Sequence, residues 1–546
     1  MQHLRYFPAV LLALVFTIVC VPAPLKAADI STWTKDEIGK LPESYWAALK
    51  RDENEWTRFC QASARTFSQI YGSSVHNSYD LFLREQSATP ARSAPVIQHK
   101  SLKRLTDVVY ISGRSFKALS GTPLTRLRLL AYKEGAVRMI PFDILEFTSL
   151  GRVVLPSGPE ANARDGDGIL SDNDRIFFLA VDAGHKIDKR TINEHFAGVK
   201  AIQEIELAYR PEGEKGWVYL AAFDDDSAEK SALDYIVFHE KSSMIQTPYM
   251  LIQTRARRFK QSVAPTLDVC TWAISPSIGG TSQDIHNQFN INMILSYRGG
   301  ITKNETQDDI DLHMRAWYDG SVITFIRVTW KVGTPLGIGA PTAFADVVAS
   351  PFTLFDQNFL NTPFDPSIII KNFTLTLGED MNARVLNAQG AKPYCILTEK
   401  DKKGLVIDGR TSATRVLLDN SVRTHDLWHV LAGPSGSMCM ISGMNDFCAE
   451  NATFRLEWSD TPSKIGYYRY SLGLDSFINR QEHMYLEWNV VPFFLTDSGY
   501  AWNNLDLVLK HNDKPLSYAV DNSSFTRLSR FTHIPDVKSE KRFYRY

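Results

Sequence analysis

The sequence predicts a mainly β protein, built of antiparallel β-sandwich domains behind a short N-terminal helical segment. Two observations carry that expectation. From about Lys103 onward, short runs rich in β-branched and aromatic residues follow one another closely, among them "DVVYIS", "RLRLLAY", "RIFFLAV", "IQEIELAYR" and "GWVYLAAF". The same texture returns in "NINMILSY", "SVITFIRVTWKV", "SIIIKNFTLTLG" and "MYLEWNVVPFF", with Gly, Pro, Asp and Asn between the runs. Several alternate apolar and polar residues, as strands with one buried face do. The second observation is that long amphipathic helical patterns are scarce over the same span. Strands therefore connect to strands, which favours sandwiches over βαβ units. "YKEGAV", Tyr132 to Val137, reads as a hairpin turn between two of them.

The elements can be taken in chain order. Arg5 precedes an apolar run from Phe7 to Val21, followed by Pro22, Pro24 and a small-residue exit at Ala27–Ala28. That is the pattern of a secretory signal peptide over residues 1–27, which places the protein outside the cell or in the periplasm or cell envelope. The run is too short and too Pro-broken to serve comfortably as a membrane span, and no later stretch is long enough to span as a helix. Residues 28–86 form a helical lead, because Trp56, Phe59, Cys60, Phe67, Ile70 and Tyr71 share one stripe at three- and four-residue spacing. Residues 87–102 read as a polar, Pro-containing linker. A first sandwich is expected over 103–260 and a second, larger one over 261–546, with the boundary drawn at the basic "RARRFK" and the Ser/Gly-rich turn after it.

Charge excludes one class of partner. The 60 Lys plus Arg nearly balance 61 Asp plus Glu, without the basic surplus that a nucleic-acid binder carries. Export sets an oxidising context for the cysteines. Cys439 and Cys448 flank "MISGMNDF", read as two arms around a turn, and a disulfide between them is the best pairing. The pairing of Cys60, Cys270 and Cys395 stays open.

The most chemically specific stretch is "ARDGDGILSDND", Ala163 to Asp174. Neighbouring carboxylates repel unless turn hydrogen bonds, water or a cation compensates. With Asp165 at position 3, Asp167 at 5, the Ile169 carbonyl at 7, Ser171 at 9 and Asp174 at 12, and Gly168 at the sharp turn, these residues resemble the calcium loop of EF-hands and dockerins. The resemblance covers these residues alone, position 1 is Ala163 rather than Asp, and a strand rather than a helix follows. It implies a structural calcium. An Asp/Gly-rich turn without metal is the alternative.

No catalytic signature emerges. His425 and His429 lack the intervening Glu of a zinc-peptidase motif and an identifiable third ligand. Trp428, Trp458 and Trp488 sit in strand-like runs, where they fill cores or, if exposed together, stack on flat ligands. With His425 and His429 they form the candidate ligand set. The leading expectation is an exported, calcium-stabilised binding protein for a glycan or other cell-surface ligand. The alternatives are a carbohydrate-active hydrolase or lyase on a sandwich scaffold and a structural component of the envelope.

Overall fold

A computed structural model describes residues 96–528, apart from short connecting segments and the stretch 494–513; the residues expected to form a signal peptide and a helical lead lie outside the described residues. The described residues are 55% strand and 8% helix, so the fold is mainly β, and every strand pair among them is antiparallel.

The first body is a sandwich. A six-stranded sheet runs in the order Thr526–Arg527, Ser517–Val520, Val199–Tyr209, Glu214–Phe223, Leu127–Lys133, Ala136–Ile140. A three-stranded sheet, Val108–Ser112, Arg175–Leu179 and Asp143–Leu145, covers one of its faces. Val109, Ile111, Ile176 and Phe178 from the small sheet share one core with Leu129, Ala131, Leu207, Val218 and Leu220 from the large one. Residues one step out of phase, Leu130, Tyr132, Trp217, Tyr219 and Phe223, form a second core on the opposite face. Ile187 and Ile192 close that core, the latter from the short helix Lys189–His195. A strand covered on both faces has no polar side, which is why "GWVYLAAF" reads as an unbroken apolar run. The turn in "YKEGAV" is a two-residue hairpin: Lys133 pairs with Ala136, and Glu134 and Gly135 both take positive φ (50° and 76°), matching the right-handed twist of the flanking strands.

Three expectations about organisation change. The end of the supposed linker is a strand, Val96–Gln98, paired with Lys186–Ile187. The basic stretch at the supposed boundary lies in a long hairpin, Met250–Phe259 against Ser262–Ile274, within a four-stranded sheet. Strand pairing carries the chain through it, so composition there does not mark a linker. And residues 517–520 leave the second half of the chain to pair with Val199–Tyr209 in the first body.

The remaining strands form two large sheets. A second six-stranded sheet has the order Thr302–Thr306, His286–Tyr297, Ile370–Met381, Lys464–Leu474, Ala452–Thr461, Arg415–Leu418. A nine-stranded sheet runs from the edge strand Asp311–Asp319 through Thr324–Lys331, Thr342–Ala349, Leu354–Asn361, Tyr485–Phe493, Gly436–Met444, Asp426–Gly433 and Tyr394–Thr398 to Leu405–Ile407. Its edge strand docks on the first body. Ser157 and Trp317 exchange backbone hydrogen bonds of 3.1 and 2.9 Å, and the Glu160 N–H donates to the Arg315 carbonyl at 2.8 Å. Gly158, at φ +108°, lets the backbones meet, since a Cβ there would stand 2.6 Å from the Arg315 oxygen.

Candidate functional site

The ligand set expected from sequence does not assemble. Trp458 is 2% exposed, on the inward side of the second six-stranded sheet, and His429 is likewise 2% exposed in the nine-stranded sheet. Burial pushes the His429 imidazole down to about 3, so it stays neutral. Trp428 is half-buried against the cluster of Cys395, Leu397, Val430, Ala432, Cys439 and Ile441. It pairs across the sheet with Ile441, whereas position 488 pairs with Ser442, one row further along. Successive rows belong to opposite faces, so positions 428 and 488 share no platform. His425 lies outside the described residues.

The expected Cys439–Cys448 bridge is not made. Cys439 is a free, fully buried thiol opposite Val430 in mid-strand, and the strand continues to Met444 rather than turning. Cys448 lies outside the described residues, as do Cys60 and the side chain of Cys270. Burial drives the Cys439 thiol well above its ordinary range.

The acidic loop is held by its own backbone. Both carboxyl oxygens of fully buried Asp174 accept backbone N–H groups, one from Phe147 at 2.8 Å and one from Ser171 at 2.7 Å. Asp167 accepts from the Ile169 N–H at 3.1 Å, and Glu146 accepts from the Gly168 N–H at 2.7 Å. Gly168 takes φ +69° at the turn, and Leu170 is buried beneath it. Asp165 and Asp167 are exposed, and among the described residues no three His, Cys, Asp or Glu come together as a metal set. The donor that an EF-hand-type cage would take from position 12 is thus already engaged, and the arrangement does not fit such a cage.

Other buried carboxylates are used in the same way. Asp460 accepts from the N–H groups of Asp408, Gly409 and Gly466 at 2.8, 2.8 and 3.0 Å. Asp284 accepts from Trp272 and His286 at 2.9 and 3.1 Å, and burial raises it to about 8. These groups organise backbone.

What the topology does bring together is the outer face of the second six-stranded sheet. The register aligns Thr306, Asn292, Thr376, Ser471 and Arg455 in one row across five strands. The next row of that face holds Asn304, Ile294, Thr374, Gly473 and Thr453, and the one after it Thr302, Ser296 and Asn372. Residues of the opposite phase, Met293, Leu295, Leu456 and Trp458, are buried. Thr302, Asn304, Arg455 and Arg469 are exposed, and Asn292, Ser296, Thr306, Asn372, Thr374 and Thr376 half-buried. At the far end Glu457 bridges Arg455, at 2.6 Å, and Arg469. The amide oxygen of Asn292, second in the first row, is buried without a hydrogen-bond partner among the described residues. Neighbouring strands lie about 4.8 Å apart and alternate residues about 6.8 Å apart, so the face is a grid of hydroxyl and amide groups. The signal is present in the sequence: "NINMILSY" and "KNFTLTLG" each alternate an apolar phase with one of Asn, Ser or Thr, but which strands would align those phases is not written in either run.

No protein-family profile and no curated protein matches the chain. Among solved structures, an α-mannosidase from Enterococcus faecalis is similar at 8% identity over 87% of this chain and 51% of that chain, with a TM-score of 0.38. An α-N-acetylgalactosaminidase from Bifidobacterium bifidum is similar at 8% identity over 49% of this chain and 36% of that one, TM-score 0.26. A protein from Synechocystis is similar at 10% identity over 49% of this chain and 97% of its own, TM-score 0.29. The chain spans about half the length of the mannosidase.

Proposed function

We propose that this is an exported β protein that binds a glycan on the outer face of its second six-stranded sheet. The observation that carries the reading is the row Thr306, Asn292, Thr376, with its neighbouring rows of Asn, Ser and Thr. Sugar hydroxyls both donate and accept, and amides and hydroxyls offer both functions. A protein partner would call for buried aromatic or aliphatic anchors at the centre of the patch, whereas the large apolar side chain exposed in these rows is Ile294, at 39%. Export rests on the N-terminal pattern. Calcium enters only through the sequence resemblance of the 163–174 loop.

Affinity electrophoresis against a panel of neutral and acidic polysaccharides tests the site. Retardation by at least one glycan is expected, weakened about tenfold or more by Asn292→Ala combined with Thr376→Val, and unchanged by Trp428→Ala. Retardation that survives the pair of face substitutions would move the site elsewhere.

A further inference from the structure

The first body is completed by a segment that reaches it from the far end of the chain. Residues 514–528 form a hairpin of their own: Ser517 and Tyr518 pair with Arg527 and Thr526, and the Leu528 N–H donates to the Leu516 carbonyl at 2.8 Å. Its inner strand, Ser517–Val520, lies on Val199–Tyr209, with Tyr518 opposite Leu207 and Val520 opposite Ile205. Leu516, Tyr518, Val520 and Leu528 are buried in the same core as Phe116, Leu119, Ile205, Leu207 and Tyr209. Asp521 fastens the turn. Its carboxylate accepts from the Glu204 N–H at 2.9 Å and from the Gln203 amide at 3.0 Å, and it pairs with Lys189. Arg104 donates to the Lys514 carbonyl at 3.1 Å, and Ser115 and Tyr518 share a hydroxyl contact of 3.1 Å.

The contacts named between the hairpin and the rest of the chain are all with residues between Arg104 and Tyr209, while the preceding described strand, Tyr485–Phe493, belongs to the nine-stranded sheet. Twenty residues, 494 to 513, connect the two, a length that reaches at most about 70 Å when extended. Without the hairpin, Val199–Tyr209 would be an open sheet edge above an apolar groove, and such an edge pairs with whichever compatible strand is at hand. We propose that the hairpin 514–528 is an exchangeable closing element, and that the groove along Val199–Tyr209 accepts the same hairpin from a second copy, joining two chains by strand exchange. The contacts are identical in the two arrangements, so the tether's effective concentration favours the closed monomer, and raising protein concentration shifts the balance.

The test uses the full chain with a protease site inserted between 494 and 513. After cleavage, a fluorescent peptide of residues 511–530 should displace the resident hairpin with 1:1 stoichiometry. The uncleaved chain should take up the peptide at least about tenfold less, because its own hairpin is tethered. A peptide carrying Asp521→Ala should bind about tenfold or more weakly, and that comparison leaves the folding of the protein untouched. Concentrated uncleaved chain should yield a dimer by light scattering, and the dimer should revert to monomer when an excess of the peptide is added. A cleaved chain that refuses the peptide overturns the proposal. So does peptide exchange without any dimer, and so does a dimer indifferent to the peptide.

Discussion

Asp143 and Ile323, 180 residues apart, are joined by a 2.8 Å hydrogen bond from the Ile323 N–H to the Asp143 carboxylate. The Ser321 and Val322 N–H groups donate to the same carboxylate at 2.9 and 2.7 Å. One side chain of the first body thus holds the hairpin turn between Asp311–Asp319 and Thr324–Lys331, the first two strands of the nine-stranded sheet. Gly320 fits there because a Cβ would stand 2.4 Å from the Asp143 carboxyl group.

Burial raises Asp143 to about 6, against the lowering effect of the three N–H donors and Tyr318. A folded-state value above the unfolded one means that its contribution is complete below the ordinary carboxylate range and is lost as pH rises through about 6. The difference is on the order of 3 kcal/mol. Asp143→Ala leaves three buried donors unsatisfied, at about 1–3 kcal/mol each. The stability gap between wild type and variant should therefore be wider at pH 4.5 than at pH 7.5 in denaturant titrations. An equal gap at both values would show that Asp143 does not titrate in this range.

The acidic loop separates two physical accounts cleanly. If Asp174 closes the loop through the Phe147 and Ser171 N–H groups, Asp174→Ala should cost about 2–4 kcal/mol. EDTA should then leave the melting temperature of the wild type unchanged. A fall in EDTA that calcium reverses would restore the cage suggested by the sequence.

Cys439 should be silent to iodoacetamide in the native protein and react once the chain is unfolded, since burial keeps it protonated. Mass spectrometry of the labelled peptide reads this directly. A Cys439–Cys448 peptide pair recovered under non-reducing conditions would contradict the free thiol.

Trp458 is a core residue whose indole N–H has no hydrogen-bond partner among the described residues. Trp458→Ala should cost about 3–5 kcal/mol by opening a cavity, while Trp458→Phe, which removes the unsatisfied donor, should cost clearly less. Neither should change glycan affinity under conditions where the variant remains folded. Selective loss of affinity in the Phe variant would return Trp458 to the ligand site.

Local signals reported local structure well. Strand positions followed from the alternation of apolar and polar residues, and the Glu134–Gly135 turn from its glycine, because backbone conformation and side-chain phase are set within a few residues. The "RIFFLAV" run after the acidic loop is a strand, Arg175–Leu179, as its composition suggested. The candidate site was legible only in halves: both phases of "NINMILSY" were visible, but not that its polar phase would align with those of Thr302–Thr306 and Ile370–Met381.

By itself the sequence determined the class of structure: many antiparallel strands, the turns between several of them, and which residues of each strand are chemically alike. Tertiary structure decided which strands became neighbours, and with them the outer Asn/Thr face, the rows separating Trp428 from position 488, and the return of residues 514–528 to the first body. The reason is that a hydrogen-bonding strand edge accepts almost any partner, so its choice depends on burial summed over distant segments. A shift of one residue in register then exchanges the two faces.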